Sequence, residues 1–440
     1  MLQAILNELK DKRILLLGFG REGRSTWQML REALPDLPLA VADRNPVELP
    51  RPDDRTTVHS GPDYLGHLAD YDCLLKSPGI TLLGVELPAG MHVTCQTDLF
   101  LRHATCLTIG ITGTKGKSTT TSLIHHILET AGRHALLMGN IGVPVLDRVG
   151  EVRPDSVAVV ELSSHQLEYT HASPDIAVLT NLYPEHLDHY ASYDHYVAAK
   201  MNILRHQRAD GLCVYNADHA ELRGQVESWA HGRRLPVSLA DADAAGFSDL
   251  AERNPRLAGR HNLCDALLAT AVCREVGASE QAIREGLDTY AGMPHRMEPV
   301  GTYRGIRFVD NAIATVPVAT LLAIEALGRV DTLIVGGMDR GLDLLPFTDA
   351  IAASEVRTVI CMPDTGVTIR DRLRGKAAPQ RVLWADDMET AVEMCYEYTP
   401  AGGVCLLSPT ASSYNRYKSF EEKGGAFQRL VRIRGERGTA

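Results

Sequence analysis

The sequence predicts an α/β protein of three domains, each built on a mostly parallel sheet. Three observations carry that prediction. Apolar runs of strand length recur along the chain and end at Gly, Asp, Asn or Ser. Helical patterns alternate with them. Two of the runs lead into glycine-rich turns of the kind that binds phosphate. A length of 440 residues suits about three such domains, with boundaries expected at 1–95, 96–297 and 298–440.

In chain order, residues 13–17 form the first buried-strand run and meet Gly18-Phe-Gly20-Arg21-Glu22-Gly23, followed by a helical pattern from Ser25. A second strand over 39–42 ends at Asp43, about 20 residues on, as the dinucleotide fingerprint asks. The chemistry of this G-x-G-x-x-G turn is a diphosphate on a helix N-terminus with a carboxylate near a ribose, which suits any nucleoside diphosphate. Residues 72–76 read as a third strand with Ser77 at the end where ligands sit.

The second segment opens on Gly110-Ile-Thr-Gly113-Thr114-Lys115-Gly116-Lys117-Ser118-Thr119, between an apolar strand and a helical pattern from Thr121. The inward N–H groups of such a loop and the positive end of the following helix favour phosphate. Lys117 can reach β/γ-phosphates and Ser118 can offer a hydroxyl to Mg²⁺. The spacing departs from G-x-x-x-x-G-K-[ST], because Ile111 stands at the first glycine position. Asn140 follows in a Gly-Asn-Ile-Gly turn. The strand over 157–160 ends at Glu161, where an acid downstream of a phosphate loop holds Mg²⁺. Another strand, 176–180, leads to His186 and His189. With His195 these allow a zinc cluster, but one imidazole beside a phosphate/Mg²⁺ site is the simpler reading. A helix over 193–204 carries Lys200, which spacing alone reads as a snorkelling surface lysine. Arg296, in a Gly/Pro-rich turn, could engage an anion.

The third segment repeats the α/β pattern, with strands at 306–309, 331–335, 357–361, 382–384 and 403–407 and a helix opening at Thr315. Polar groups at their ends again mark a ligand edge. The tail 434–440 reads as frayed.

Composition narrows the class. The chain is 45% hydrophobic and 23% charged, enough for ordinary cores. A net charge of −10 and the lack of a Lys/Arg tract count against nucleic acid as the main partner. Nine cysteines without a C-x-x-C pair read as reduced thiols. There is no signal-peptide h-region, and no run approaches the roughly 20 apolar residues of a membrane span. A cytoplasmic enzyme is expected.

Taken together, Gly110–Thr120, Gly139–Gly142, Glu161-Leu-Ser-Ser-His-Gln-Leu-Glu168, His186-Leu-Asp188, Ala198-Ala-Lys200, Gly259-Arg-His-Asn262 and Met293-Pro-His-Arg296 resemble the Mur ligases of peptidoglycan synthesis. The resemblance spans nearly the whole chain. It implies a Rossmann-like N-terminal domain for a UDP-substrate, a central P-loop ATPase domain and a Rossmann-like C-terminal domain for amino acid and ATP. The implied activity is ATP-dependent addition of D-glutamate to UDP-N-acetylmuramoyl-L-alanine through an acyl phosphate, with release of ADP and phosphate. L-Glutamate is the alternative, and a folylpolyglutamate-synthase-like ligase a more distant one. A dehydrogenase using the first glycine turn and a non-catalytic ATP-binding regulator are the readings from other classes.

The resemblance also implies roles. Lys117, Glu161, His186 and Lys200 are catalytic. Gly113, Thr114, Lys115, Gly116, Lys117, Ser118, Thr119, Asn262, Arg296 and Asn311 bind ATP. Ser118, Glu161, His186 and a carbamylated Lys200 hold two Mg²⁺ ions. Gly18, Gly20, Arg21, Glu22, Gly23, Asp43, Ser77 and Asn140 bind the UDP-substrate, and Thr315, Arg340, Ser413, Tyr414 and Phe420 the incoming glutamate. A monomer is expected. Four positions depart from the family pattern: Lys115 and Asp265 stand for Asn, Ile313 for a lysine, and Arg340 for Lys. An arginine in place of lysine can still grip a carboxylate bidentately.

Overall fold

The computed structural model describes all residues except 187–188, 245, 340–341, 377–379, 414–415 and 437–440. Three sheets follow one another. The first holds β1 (Ile14–Leu17), β2 (Leu39–Asp43), β3 (Thr56–Ser60), β4 (Cys73–Lys76) and β5 (His92–Thr94) in the order β3-β2-β1-β4-β5, with every pair parallel. The strand order reverses between β1 and β4, so the crevice at their C-terminal ends is the natural ligand position of this sheet.

The second sheet holds β6 (Leu107–Thr112), β7 (Ala135–Gly139), β8 (Val157–Glu161), β9 (Ile176–Leu179), β10 (Leu212–Asn216) and β11 (Arg233–Val237), ordered β11-β10-β9-β6-β8-β7 and parallel throughout. The third holds β12 (Glu298–Tyr303), β13 (Ile306–Asp310), β14 (Thr332–Val335), β15 (Thr358–Cys361), β16 (Arg381–Trp384) and β17 (Val404–Leu407), ordered β12-β13-β17-β14-β15-β16. Only the β12–β13 pair is antiparallel. The expected class, α/β with three mostly parallel sheets, is the observed one.

The inner strands read as unbroken apolar runs because both faces are covered. In the second sheet Ile109, Ile111, Val157 and Val159 pack on Leu123, Ile124 and Ile127 of helix Lys117–Thr130 and on Leu267 and Leu268 of helix Arg260–Glu275. In the third sheet Val309, Leu333, Val335 and Leu406 pack on one side, and Phe308, Ile334, Ile360 and Leu407 on the other.

The chain divides into two compact units. Met1–Tyr290 carries the first two sheets and Ala291–Ala440 the third. Within the first unit one apolar cluster runs from Ile5, Trp27 and Leu30 through Leu99 and Phe100 to Met138, Leu146 and Tyr196, joining the first sheet's helices to the second's. Strands β3, β5, β11 and β12 are additions to the sequence reading, and each lies at a sheet edge. The helix expected from Thr315 begins at Pro317, a residue suited to a first helical turn. Among the described residues no helix is long and apolar enough to cross a membrane.

Candidate active site

Three strand ends of the second sheet converge on one loop. β6 lies between β8 and β9, and the loop that leaves it turns on Gly113 (φ +148°) and Gly116 (φ +84°), backbone settings that favour glycine. A Cβ on Gly113 would lie 1.9 Å from Thr180 Oγ1, just beyond β9, so the approach itself excludes a side chain. The loop is pinned from that side: Thr114 N donates to Asn181 O at 2.9 Å and Lys115 N to Asn181 Oδ1 at 2.8 Å. Gly116 is the N-cap of helix Lys117–Thr130 and offers no side-chain cap, and the first amides of a helix have no intrahelical acceptor. Ser118 and Thr119 lie half-buried in its first turn. The Lys115 ammonium pairs with Glu185.

Two lysines meet one carbonyl. Lys117 Nζ donates to Gly113 O at 3.1 Å and to Thr114 O at 3.0 Å, and Lys200 Nζ donates to Gly113 O at 2.7 Å. Lys200, on helix Tyr193–Arg205, is only 2% exposed, so it is no snorkelling surface residue. Burial, reinforced by the Lys117 charge, pushes its pKa well below the ordinary lysine range.

Glu161 ends β8, paired in register with Ile111 of β6. It is 1% exposed; Oε1 accepts from Asn140 Nδ2 at 2.6 Å, and Oε2 is buried without a hydrogen-bond partner among the described residues. A buried carboxylate oxygen left without a donor is costly unless something fills the gap. His186 has φ +58°, with its ring centroid 4.7 Å from that of His165. Burial and the neighbouring His189 and His186 push the His165 pKa down to about 3, which keeps it neutral. His189 is tied to Glu168 at 3.2 Å, and Glu168 to the buried Lys76 at 3.3 Å. Asp188 lies outside the described residues.

A cavity of about 630 Å³ opens beside the loop. Lys115, Gly116 and Asn181 line it together with Tyr183, Asn216, Asp218, His219, Arg260, His261 and Asp265. Asn262 stands at the start of the helix that forms one wall, its Nδ2 donating to Ala258 O at 2.9 Å. Sequence reasoning gave no role to Tyr183, Asp218 or His219; the Asn-Ala-Asp turn after β10 was the one available signal.

The first glycine turn is equally constrained. Gly18 has φ +87°, and a Cβ on Gly23 would lie 2.0 Å from Gly18 O. Ser77 Oγ donates to Gly18 O at 2.8 Å. Asp43 accepts from Phe19 N and Asn45 N, both at 2.8 Å, so its carboxylate braces the turn. Nothing lies within 4 Å of where a Gly20 Cβ would be. Arg21 and Glu22 direct their side chains to the Gly139–Gly142 turn after β7 and to Gln166 of the short helix Ser164–Leu167.

In the second unit Asn311 is buried, donating to Ser408 Oγ at 3.1 Å and accepting from Met297 N at 3.2 Å. Ser413 is 2% exposed, with no partner for Oγ among the described residues. Thr315 is half-buried, Phe420 begins helix Phe420–Glu436, and Arg296 is exposed. Arg340 and Tyr414 lie outside the described residues.

Residues 111–273 match the family model for the Mur ligase middle domain. Over 397 residues the chain is 36% identical to the UDP-N-acetylmuramoylalanine–D-glutamate ligase of Symbiobacterium thermophilum, covering 84% of this chain and 86% of that protein. The chain belongs to the Mur ligase family. The UDP-N-acetylmuramoyl-L-alanine–L-glutamate ligase of a Micromonospora species is 34% identical, covering 97% of this chain and 98% of that protein. Among solved structures, the Mur ligase MurF of Thermotoga maritima superposes with a TM-score of 0.55 at 16% identity, covering 97% of each chain, a likeness of fold.

Proposed function

We propose that this Mur ligase joins D-glutamate to UDP-N-acetylmuramoyl-L-alanine at the expense of ATP, in peptidoglycan precursor synthesis. The observation that carries the reading is the Gly113–Lys117 loop with two lysines on one carbonyl and Glu161 beside it.

In the first step an oxygen of the alanyl carboxylate attacks the γ-phosphorus of ATP and ADP departs, leaving an acyl phosphate. The glutamate amine then attacks the acyl carbon, phosphate leaves and the nitrogen gives up a proton. The protein's part in such a transfer is alignment and charge neutralisation. The loop amides and Lys117 bind the terminal phosphates. Asn140 orients the Glu161 carboxylate, whose unpartnered Oε2 suits a hard cation. Ser118, Glu161, His186 and the carbamate of Lys200 would hold Mg²⁺, which supplies charge neutralisation on the phosphates. Lys200 as an ammonium only donates; its lowered pKa favours the neutral amine, whose lone pair can attack CO₂, forming an N–C bond and releasing a proton. The 630 Å³ cavity has the size and mixed lining for a nucleoside, with Asn262 proposed at the adenine. Arg296 and Asn311 are proposed as further ATP ligands, and Thr315, Arg340, Ser413, Tyr414 and Phe420 as glutamate ligands. The glycine turn at Gly18–Gly23, with Asp43 and Ser77, is proposed for the UDP group.

A second reading, L-glutamate, is favoured by the L-glutamate ligases among the relatives and by Ile313 in place of the family lysine. Phosphate release by the purified protein with ATP, Mg²⁺, UDP-N-acetylmuramoyl-L-alanine and either enantiomer decides between them. D-Glutamate-dependent release is expected. Release with L-glutamate alone replaces the first reading by the second, and release with neither rejects both.

A further inference from the structure

Arg21 belongs to the first glycine turn, yet its guanidinium is spent on the second sheet. Nη1 donates to Gly142 O at 3.3 Å, and Nη2 donates to Gly139 O at 3.3 Å and Asn140 O at 3.2 Å. All three carbonyls belong to the single turn that leaves β7. That turn presses on Glu161: a Cβ on Gly139 would lie 2.4 Å from Glu161 O, Asn140 N donates to that same oxygen at 3.0 Å, and Asn140 Nδ2 holds Glu161 Oε1 at 2.6 Å.

The next residue works from the other side. Glu22 Oε1 accepts from Gln166 Nε2 at 2.8 Å. Gln166 Oε1 in turn accepts from Ser163 N at 3.0 Å and closes a capping box on the short helix that starts just after Glu161. Two consecutive residues of the first glycine turn therefore grip the segments flanking Glu161 on either side.

We propose that Arg21 and Glu22 are positioning residues: through the Gly139–Gly142 turn and the Ser163–Gln166 cap, they fix the Glu161 carboxylate relative to the UDP-binding turn. The proposal rests on the reading of Glu161 as a metal ligand given above. A guanidinium spanning three carbonyls is suited to this, because its donors form a fixed fork that an ammonium lacks. Groups that orient a ligand in this way change metal affinity or activity by about 10–100-fold when removed.

The test uses the full chain and the variants R21A, R21K, E22Q and E161A. Mn²⁺ binding in the presence of ADP is followed by electron paramagnetic resonance, and kcat and KM for the UDP-substrate are separated. R21A is expected to lower kcat and weaken Mn²⁺ binding by about tenfold each, with KM for the UDP-substrate little changed. R21K should recover only part of the loss, and E22Q should show a smaller one. A higher KM at unchanged kcat would make Arg21 a direct diphosphate ligand and overturn the proposal. So would a lower melting temperature with Mn²⁺ affinity intact, which is a purely structural role. Amide exchange separates the two layers of the claim. Faster exchange at residues 139–142 in R21A and at 163–166 in E22Q is expected, and unchanged exchange rejects the coupling whatever the metal does. Unchanged Mn²⁺ binding in E161A with faster exchange in R21A would instead reject the metal reading alone.

Discussion

Lys200 and Lys423 have nearly the same surroundings on paper and different prospects. Both are 2% exposed. Each donates from Nζ to a glycine carbonyl just beyond the C-terminal end of an inner parallel strand: Lys200 to Gly113 O at 2.7 Å, Lys423 to Gly336 O at 2.6 Å. Their company differs. Lys200 has Lys117, Glu185, Glu161 and Lys115 within electrostatic reach, whereas among the described residues burial is what pushes Lys423 down to about 7. A buried amine among phosphate-loop and metal-type residues is a candidate for chemistry; one with no charged group acting on it among the described residues ties a strand end to a helix.

The largest expected effect is at the shared carbonyl. Gly113→Ala places a Cβ 1.9 Å from Thr180 Oγ1 at φ +148°, so the loop must shift and carry the acceptor of Lys117 and Lys200 with it. Calorimetric ADP affinity should fall by at least about tenfold while the protein stays folded. Unchanged ADP affinity would break the comparison, because the loop carbonyl would then be no more functional than Gly336 O.

A smaller effect lies in the pH dependence of stability. Lys423 titrates near 10.4 when unfolded and at about 7 when folded. Between these values the unfolded chain binds more protons, so this group makes stability rise with pH, by up to about 1.4 kcal/mol per unit. The contribution is flat below pH 7, where both states are protonated, and above about 10.4, where both are neutral. K423M should flatten the slope between pH 7 and 10 in denaturant titrations. An unaltered slope would show that the buried amine does not titrate as described.

Much of this was legible in the sequence. The inner strands announced themselves because both faces are covered, as in Val157–Val160. The edge strands did not: Thr56-Thr-Val-His-Ser60 and Arg233-Arg-Leu-Pro-Val237 are half-exposed and polar or interrupted by proline, which edges tolerate. Gly113, Gly116 and Lys117 were readable because a phosphate loop fixes residue types at fixed offsets. Spacing alone misread Lys200 as a surface lysine and only the family resemblance singled it out, since its burial comes from the packing of a helix 87 positions away from Gly113. For the same reason Arg21 and Glu22 read as diphosphate contacts, whereas the groups they hydrogen-bond, 118 to 144 positions distant, lie in the Gly139–Gly142 turn and the short helix Ser164–Leu167.

The central claim is that Lys200, unlike Lys423, is chemically competent because of where it sits. Incubation with ¹³C-bicarbonate followed by ¹³C NMR tests it most directly. The account predicts one carbamate resonance, present in the native protein and in K423M and absent from K200A. A resonance that survives K200A, or none in the native protein at neutral to alkaline pH, would contradict it.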